Sequence, residues 1–156
     1  MKLCLSSVIL SLVCSFVFSE APWSYHENID EMDDSVFRYV LSESELFDED
    51  KRMFIFTGCE DTFEHKVDLK RPQGVFFDYY EDGSLDVVLR FDKEVAAAPD
   101  ESYVWDSNTQ YATIRLEGMR KLLLKHSVLR VKGLFDQRTV IRFDLLDYNR
   151  AFKECP

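Results

Sequence analysis

The two cysteines that follow the N-terminal apolar segment are the residues best suited to chemistry. Cys59 closes an apolar run at residues 53–57, and Cys155 is the penultimate residue. In an exported protein we expect these two thiols to form a disulfide, and closing a loop of this length would stabilise the fold by roughly 4–5 kcal/mol. The alternatives are a nucleophilic Cys59–His65 pair, which would leave Cys155 unpaired, and a zinc site, for which the sequence has no tight Cys/His cluster.

Other residue types that carry out chemistry are scattered along the chain. His26, His65 and His126 share no metal-ligand spacing. Residues 30–34 are rich in aspartate, but they lack the glycine and the distal glutamate of a calcium loop. No serine lies in a Gly-x-Ser-x-Gly elbow, and among 29 acids some carboxylate pair would satisfy any loose search for a glycosidase site. We therefore expect no catalytic residue, no metal and no cofactor, and interpret the protein as non-enzymatic.

Two acidic stretches supply the candidate partner-binding residues. These are Asp33, Asp34, Glu43, Glu45, Asp48, Glu49 and Asp50. Residues 20–100 carry 22 acids and 8 bases, whereas residues 101–156 carry 7 acids and 10 bases. This asymmetry would suit a basic protein partner, and the alternative is a solvated acidic surface. A net charge of −10 without a basic stripe argues against nucleic acid as the partner.

The N-terminus predicts export. Residues 1–19 have a lysine start, an apolar run at 3–18 and a Val-Phe-Ser end typical of a signal peptide. The run is shorter than the roughly 20 residues of a stable membrane span, so we expect no membrane span after cleavage. An uncleaved anchor and a lipid-modified Cys14 are the alternatives. The mature chain, residues 20–156, has the length of a single domain, with a periplasmic or secreted location.

Alternating apolar residues predict a mainly β domain. Residues 20–34 are polar, with Trp23 and Tyr25 as expected anchors, and residues 42–51 are expected to form an acidic loop. Asp82-Gly83 between two β-prone runs predicts a hairpin, whose second arm places Leu85, Val87, Leu89 and Phe91 on one face. The aromatic residues of its first arm, Phe76, Phe77, Tyr79 and Tyr80, are expected to form core and cross-strand pairs, with a ligand platform as the alternative. The remaining predicted strands are 35–41, 53–57, 62–69, 127–134 and 138–145. The strand at 53–57 is expected to be buried, since its residues are apolar or β-prone on both faces. The last two strands are expected to place Leu129 and Val131, and Ile141, Phe143 and Leu145, on one face each.

Two short helices complete the predicted fold. The better one covers residues 117–126, with Met119, Leu122 and Leu123 inward and Arg120, Lys121 and Lys125 outward. A second helix at 147–154 would deliver Cys155 to its partner. Together these elements predict an antiparallel two-sheet β-sandwich with one or two short helices.

The sequence also resembles a known family. The stretches Leu89-Arg-Phe-Asp92, Trp105-Asp-Ser107, the helix at 119–124, Leu129-Arg-Val131 and Arg142-Phe-Asp-Leu145 resemble the VasI-type small exported proteins found with type VI secretion clusters and their proteobacterial and phage relatives. Met32-Asp-Asp-Ser35 and the cysteine-bearing strand are similar to the family's N-terminal pattern. The resemblance implies a secreted, largely β domain and assigns no catalytic residue.

These observations predict a non-enzymatic exported domain that binds a protein partner, as an accessory of a secretion or envelope machine. The first alternative function is a periplasmic inhibitor or immunity protein that docks its acidic half on a basic toxin or hydrolase. The second is an envelope hydrolase that uses carboxylates.

Overall fold

The computed structural model describes residues 23–46, 51–105 and 110–156, and of residues 45, 46 and 51 it describes the backbone alone. Nine strands and two short helices make up this part of the chain. The strands are β1 (Trp23–Ile29), β2 (Val36–Leu46), β3 (Lys51–Gly58), β4 (Lys66–Lys70), β5 (Val88–Phe91), β6 (Glu101–Val104), β7 (Tyr111–Arg115), β8 (Val128–Lys132) and β9 (Val140–Asp144). The helices are α1 (Met119–Lys125) and α2 (Tyr148–Phe152), and a single 3-10 turn spans Asp61–Phe63. The predicted signal peptide lies outside the described residues.

The strands form two antiparallel sheets, which confirms the predicted fold class. The larger sheet has the order β1-β2-β3-β4-β7-β6, and the smaller has the order β5-β8-β9. Two side chains of the larger sheet bond to the last strand of the smaller one. Trp23 Nε1 donates to the carbonyl oxygen of Asp144 at 2.6 Å, and Ser44 Oγ donates to that of Arg142 at 2.7 Å. These bonds join the sheets as a sandwich-like pair.

One face of each sheet supplies the core. The four alternating residues predicted to share a face are all buried, namely Leu85, Val87, Leu89 and Phe91. Met53 and Ile55 of the larger sheet are completely buried, and both helices add apolar side chains to the same cluster. Each buried side chain of this size contributes about 1.5–3 kcal/mol to folding, so burial between the layers is the main force that holds the two sheets together.

The N-terminal hairpin differs from the prediction. Residues 23–29, for which no strand was predicted, form β1, and Trp23 is buried as expected of an anchor. The predicted acidic loop at 42–51 is wrong, because β2 continues to Leu46 and β3 begins at Lys51. The strand continues because Ser42 turns inward and is buried, which keeps the two-residue alternation of the strand intact through its polar end.

The predicted hairpin at residues 74–91 forms its turn but not its ladder. The Tyr80 N–H donates to the Ser84 carbonyl at 2.9 Å, so the chain does reverse at Asp82-Gly83. Residues 74–80, however, form no strand, and β5 pairs with β8 instead. Phe77 is buried and stacks on Phe135 with ring centroids 5.6 Å apart. This contact holds the first arm against the segment after β8, away from β5.

The predicted disulfide is present. Cys59 and Cys155 are bonded through their sulfurs, with Cα atoms 5.5 Å apart. Cys59 follows β3 and Cys155 follows α2, so the bond ties an early strand to the end of the chain. In this bonded form Cys59 has no free thiol, which removes the nucleophilic and zinc-ligand alternatives.

Arg120 lies inside the protein, contrary to the prediction that it faces outward. Only 9% of its surface is exposed. Its guanidinium donates to the carbonyl oxygens of Gly58, Cys59 and Glu60, with the first at 3.2 Å and the second at 3.3 Å, and it packs over the Phe152 ring at 4.8 Å. These contacts gather β3, α1 and α2 around the disulfide.

Candidate binding surface

The outer side of the larger sheet carries an open surface of aromatic side chains. Because successive residues of a strand point to opposite faces, the burial of Val40, Met53 and Ile55 in the core leaves their neighbours on the outside. These outward residues are Phe37, Tyr39 and Leu41 of β2, Phe54 and Phe56 of β3, and Tyr111 of β7. We call this set the aromatic face. It corrects the prediction that residues 53–57 are buried on both sides, since Phe54 and Phe56 are only half-buried.

The rings of the aromatic face contact one another across the strands. Tyr39 stacks on Phe37 at 5.3 Å between centroids and meets Phe56 nearly edge-on at 6.0 Å. Phe56 meets Tyr111 edge-on at 6.0 Å, and Trp105 stacks on Tyr111 at 5.2 Å. Stacked neighbours cover each other's faces and leave ring edges toward solvent. Such a surface suits apolar side chains that insert between rings better than a flat ligand that must lie on one exposed ring face.

A cavity of about 330 Å³ lies among these rings. Its lining consists of the aromatic face together with Asn28 of β1 and Lys70 of β4. The Lys70 amine lies 5.6 Å from the centre of the Tyr111 ring, so a cation borders the apolar lining. The arrangement of an apolar concavity with a few polar groups at its rim is typical of a binding site.

A glycine makes room for part of this surface. The ring of Phe63 lies where a side chain at Gly58 would be, since a Cβ there would be 2.6 Å from two Phe63 ring atoms. Phe63 in turn packs against Phe37 at 5.6 Å and lies under the Lys66 amine at 4.4 Å. The turn after β3 thus extends the aromatic face towards β4.

Asp68 is a buried carboxylate on the same side of the sheet, with 2% of its surface exposed. Thr113 Oγ1 donates to it at 2.5 Å, and Trp105 Nε1 donates to Thr113 Oγ1 at 2.6 Å. Burial raises the pKa of Asp68, and the Thr113 hydrogen bond and the charge of Lys66 partly oppose that shift. This chain of bonds fixes Trp105 beside Tyr111. Sequence reasoning missed Asp68, whose only signal is a single acid inside the β-prone run 66–70.

The turn between β1 and β2 places the first predicted acidic stretch in solvent. Asp33 and Asp34 are both exposed, and Asp34 adopts a positive φ of 58°. The hydroxyl and N–H of Ser35 donate to the Asp33 carboxylate and hold its pKa below its usual range. The turn connects Ile29 and Val36, the terminal pair of the two strands, which lies one pair beyond Asn28 and Phe37. We call residues 30–34 the acidic turn.

The structure does not bring the second acidic stretch to this turn. Glu43 lies near the other end of β2, about 23 Å from the start of that strand at the usual rise per residue, and it pairs with Arg52 at 2.8 Å. The side chain of Glu45 and residues Asp48, Glu49 and Asp50 lie outside the described part of the structure. Asp33 and Asp34 are therefore the predicted acids that the structure places beside the aromatic face.

The aromatic residues near the predicted hairpin separate into two groups. Phe77 is buried in the core, as expected. Phe76, Tyr79 and Tyr80 are exposed and do not form cross-strand pairs, because their segment forms no strand. Phe76 packs under the guanidinium of Arg71 at 4.7 Å.

No group of three or more histidine, cysteine, aspartate and glutamate side chains in the described part of the chain is placed to hold a metal ion. None of the helices in residues 23–46, 51–105 and 110–156 has the length and apolar character to cross a membrane.

Comparison with known proteins finds no relative of this chain. No family model, curated protein or solved structure matches the chain, so the resemblance to VasI-type proteins stays a prediction.

Proposed function

We propose that this protein is a non-enzymatic, exported domain that binds another protein through its aromatic face. The observation that carries the proposal is the continuous set of half-buried rings across β2, β3 and β7, which other described elements leave uncovered. Aromatic side chains supply large contact areas at little cost in conformational entropy and are enriched in protein interfaces. The disulfide between Cys59 and Cys155 supports an exported location, for which the predicted leader at 1–19 is the second argument.

Paired variants test the proposal. Phe54→Ser removes a ring from the cavity lining, whereas Leu146→Ser removes an exposed side chain after β9. We expect Phe54→Ser to lose the partner that co-purifies with the wild-type protein from envelope or secreted fractions, and Leu146→Ser to retain it. Retention by both variants, with both still folded, would contradict the use of the aromatic face.

The predicted role as an accessory of a secretion or envelope machine is part of the same proposal. It rests on the resemblance to VasI-type proteins and on the expected leader. Identification of the co-purifying partner as a component of such a machine would support it.

A second candidate function is inhibition of a basic toxin or hydrolase. The acidic turn favours it, because Asp33 and Asp34 are exposed and neither forms an ion pair with a described cation. This function predicts a complex whose affinity falls with added salt and falls further in the double variant Asp33→Asn/Asp34→Asn. An affinity independent of both salt and these acids would exclude it.

A further inference from the structure

Among the described residues, one sheet edge, that of β1, has no backbone partner, whereas the other three edges of the two sheets are covered. The outer edge of β6 is bonded by residues 83–85, since Leu85 N–H donates to the Ser102 carbonyl and Val104 N–H donates to the Gly83 carbonyl, both at 2.9 Å. The outer edge of β5 exchanges two bonds of 2.8 Å with Ala97. The outer carbonyls of β9 accept the Trp23 and Ser44 side-chain bonds described above.

The pairing of β1 with β2 shows which of its backbone groups point outward. Asp30 N–H donates to the Ser35 carbonyl at 2.9 Å, so the N–H of Asp30 points toward β2. In an antiparallel ladder the N–H and C=O groups of every second residue point toward the same neighbouring strand. His26 and Asn28 therefore bond to β2, and the N–H and C=O groups of Tyr25, Glu27 and Ile29 point away from the sheet. No described residue bonds to those outward groups.

Strand β1 also lacks the features that usually block an edge. Natural edge strands are protected by proline, lysine, a bulge or short length. The sequence of β1, WSYHENI, contains neither proline nor lysine, and its seven residues pair with β2 in unbroken register. A long regular edge of this kind is a template for a further strand.

The charge around this edge indicates the kind of strand that would add to it. Residues 23–37 contain five acids and no lysine or arginine. The nearest base, Arg38, is already paired with Glu27 at 2.9 Å. The exposed acids of the acidic turn lie at the end of the edge. A second copy of this chain would bring another hairpin of the same negative charge to the edge, whereas a basic segment would be complementary.

We propose that β1 accepts an extended, basic segment of a partner protein by strand addition to the larger sheet. The proposal rests on the proposed function as a protein-binding domain and names the mode of binding. The added strand would bond to the outward groups of Tyr25, Glu27 and Ile29. Its alternate side chains would lie beside His26, which stacks on Tyr39 at 5.4 Å, and would thus reach the border of the aromatic face.

Hydrogen exchange with a defined probe tests this inference. The probe is a synthetic nine-residue peptide in which lysine alternates with valine, and its control carries glutamate in place of lysine. At saturation with the lysine peptide, we expect the amides of Tyr25, Glu27 and Ile29 to exchange at least about tenfold more slowly. The amides of His26 and Asn28 bond within the sheet already and should change little.

A proline at an outward position supplies the matched variant. Glu27→Pro removes one outward N–H and is compatible with an edge strand, and Glu27→Ala removes the same side chain but keeps the N–H. We expect Glu27→Pro to bind the lysine peptide about tenfold more weakly than Glu27→Ala, because a bond is lost and its carbonyl partner is left unpaired. If Glu27→Pro does not fold, the exchange pattern of the wild-type protein with the two peptides is sufficient to test strand addition.

Four results would overturn the inference. The first three are unprotected outward amides at saturation, equal binding of the lysine and glutamate peptides, and equal binding of the lysine peptide by the two Glu27 variants. The fourth is protection of the outward amides in the free protein that rises with protein concentration, because a second copy would then occupy the edge. If strand addition fails while Phe54→Ser still abolishes partner binding, the proposed function survives without it. If the natural partner binds regardless of Phe54, the aromatic face fails whatever the edge does.

Discussion

Replacement of Arg120 by methionine tests whether a buried cation holds the disulfide end of the molecule together. Methionine retains much of the apolar stem but loses both the guanidinium that packs on Phe152 and the donors to the carbonyls of Gly58, Cys59 and Glu60. Leaving a buried carbonyl without its donor costs about 1–3 kcal/mol, and Arg120 is the donor to three carbonyls. We take the lower end, because Glu60 is exposed and its carbonyl can bind water once the guanidinium is gone. The expected loss is therefore about 3 kcal/mol, or about 10 °C in Tm.

The same helix provides the control for this prediction. Lys121 is the next residue, its side chain is 80% exposed, and its amine pairs with Glu64 at 3.2 Å. An exposed pair of this kind contributes little, so Lys121→Met should change stability by about 0.5 kcal/mol or less. Urea unfolding followed by tryptophan fluorescence measures both variants. A loss below about 1 kcal/mol for Arg120→Met, or equal losses for the two variants, would refute the structural role of Arg120.

Four further predictions concern the disulfide, the turns, the buried acid and export. Cys59→Ser should lower the unfolding free energy by about 4 kcal/mol under oxidising conditions and by little under reducing conditions, as calorimetry with and without reductant would show. Gly133→Ala should destabilise the fold by more than about 2 kcal/mol, because its Cβ would lie 1.9 Å from the Asp86 carbonyl oxygen. Gly74 has a similar positive φ but nothing within 4 Å of the position of a Cβ, so Gly74→Ala should cost only about 1 kcal/mol. Equal losses for the two variants in urea titrations would contradict this prediction. Burial raises the folded-state pKa of Asp68, so the folded protein holds that proton more tightly than the unfolded chain and loses stability as pH rises through the carboxylate range. Asp68→Asn can still accept from the Thr113 hydroxyl and should remove this loss. A stability difference between Asp68→Asn and wild type that does not grow from acid to neutral pH would contradict this prediction. Intact-mass analysis of the protein from its natural source should show a chain that begins at residue 20 with both remaining cysteines oxidised, and a retained leader with free thiols would contradict export.

The sequence predicted the parts of the fold that depend on local alternation. Leu129 and Val131 of β8, and Ile141 and Phe143 of β9, are buried as their two-residue period indicated. The pairing of Cys155 with Cys59 was also expected, because two cysteines left in an exported chain have one pairing available. The short helix before Cys155 was expected as well. These features follow from patterns within a few residues or from simple counting.

The features that the sequence did not predict depend on contacts between distant segments. The Asp82-Gly83 turn forms, but β5 pairs with β8, and Phe77 of the first arm packs on Phe135. A local hairpin signal contains no information about these contacts with distant segments. Arg120 was placed outside because arginine on a short helix usually faces solvent. The carbonyls that it binds belong to residues about 60 positions earlier, and nothing in its neighbourhood in the sequence indicates them.

The candidate surface was missed for a related reason. An alternation of aromatic residues at Phe37-x-Tyr39 and Phe54-x-Phe56 is present in the sequence. Aromatic residues in strands usually pack in a core, so the strand at 53–57 was predicted to be buried on both faces. The burial pattern shows that the second face of this sheet is only half-buried in the described structure.

Site-specific photo-crosslinking in the cells that produce the protein tests the central claim of partner binding most directly. A photoreactive phenylalanine analogue at position 54 of the aromatic face, at position 27 of the β1 edge, or at the exposed position 146 would report what each surface touches. We expect one discrete protein adduct from position 54, the same adduct from position 27, and none from position 146. No adduct from position 54, or the same adduct from position 146, would contradict the claim that the aromatic face binds a partner.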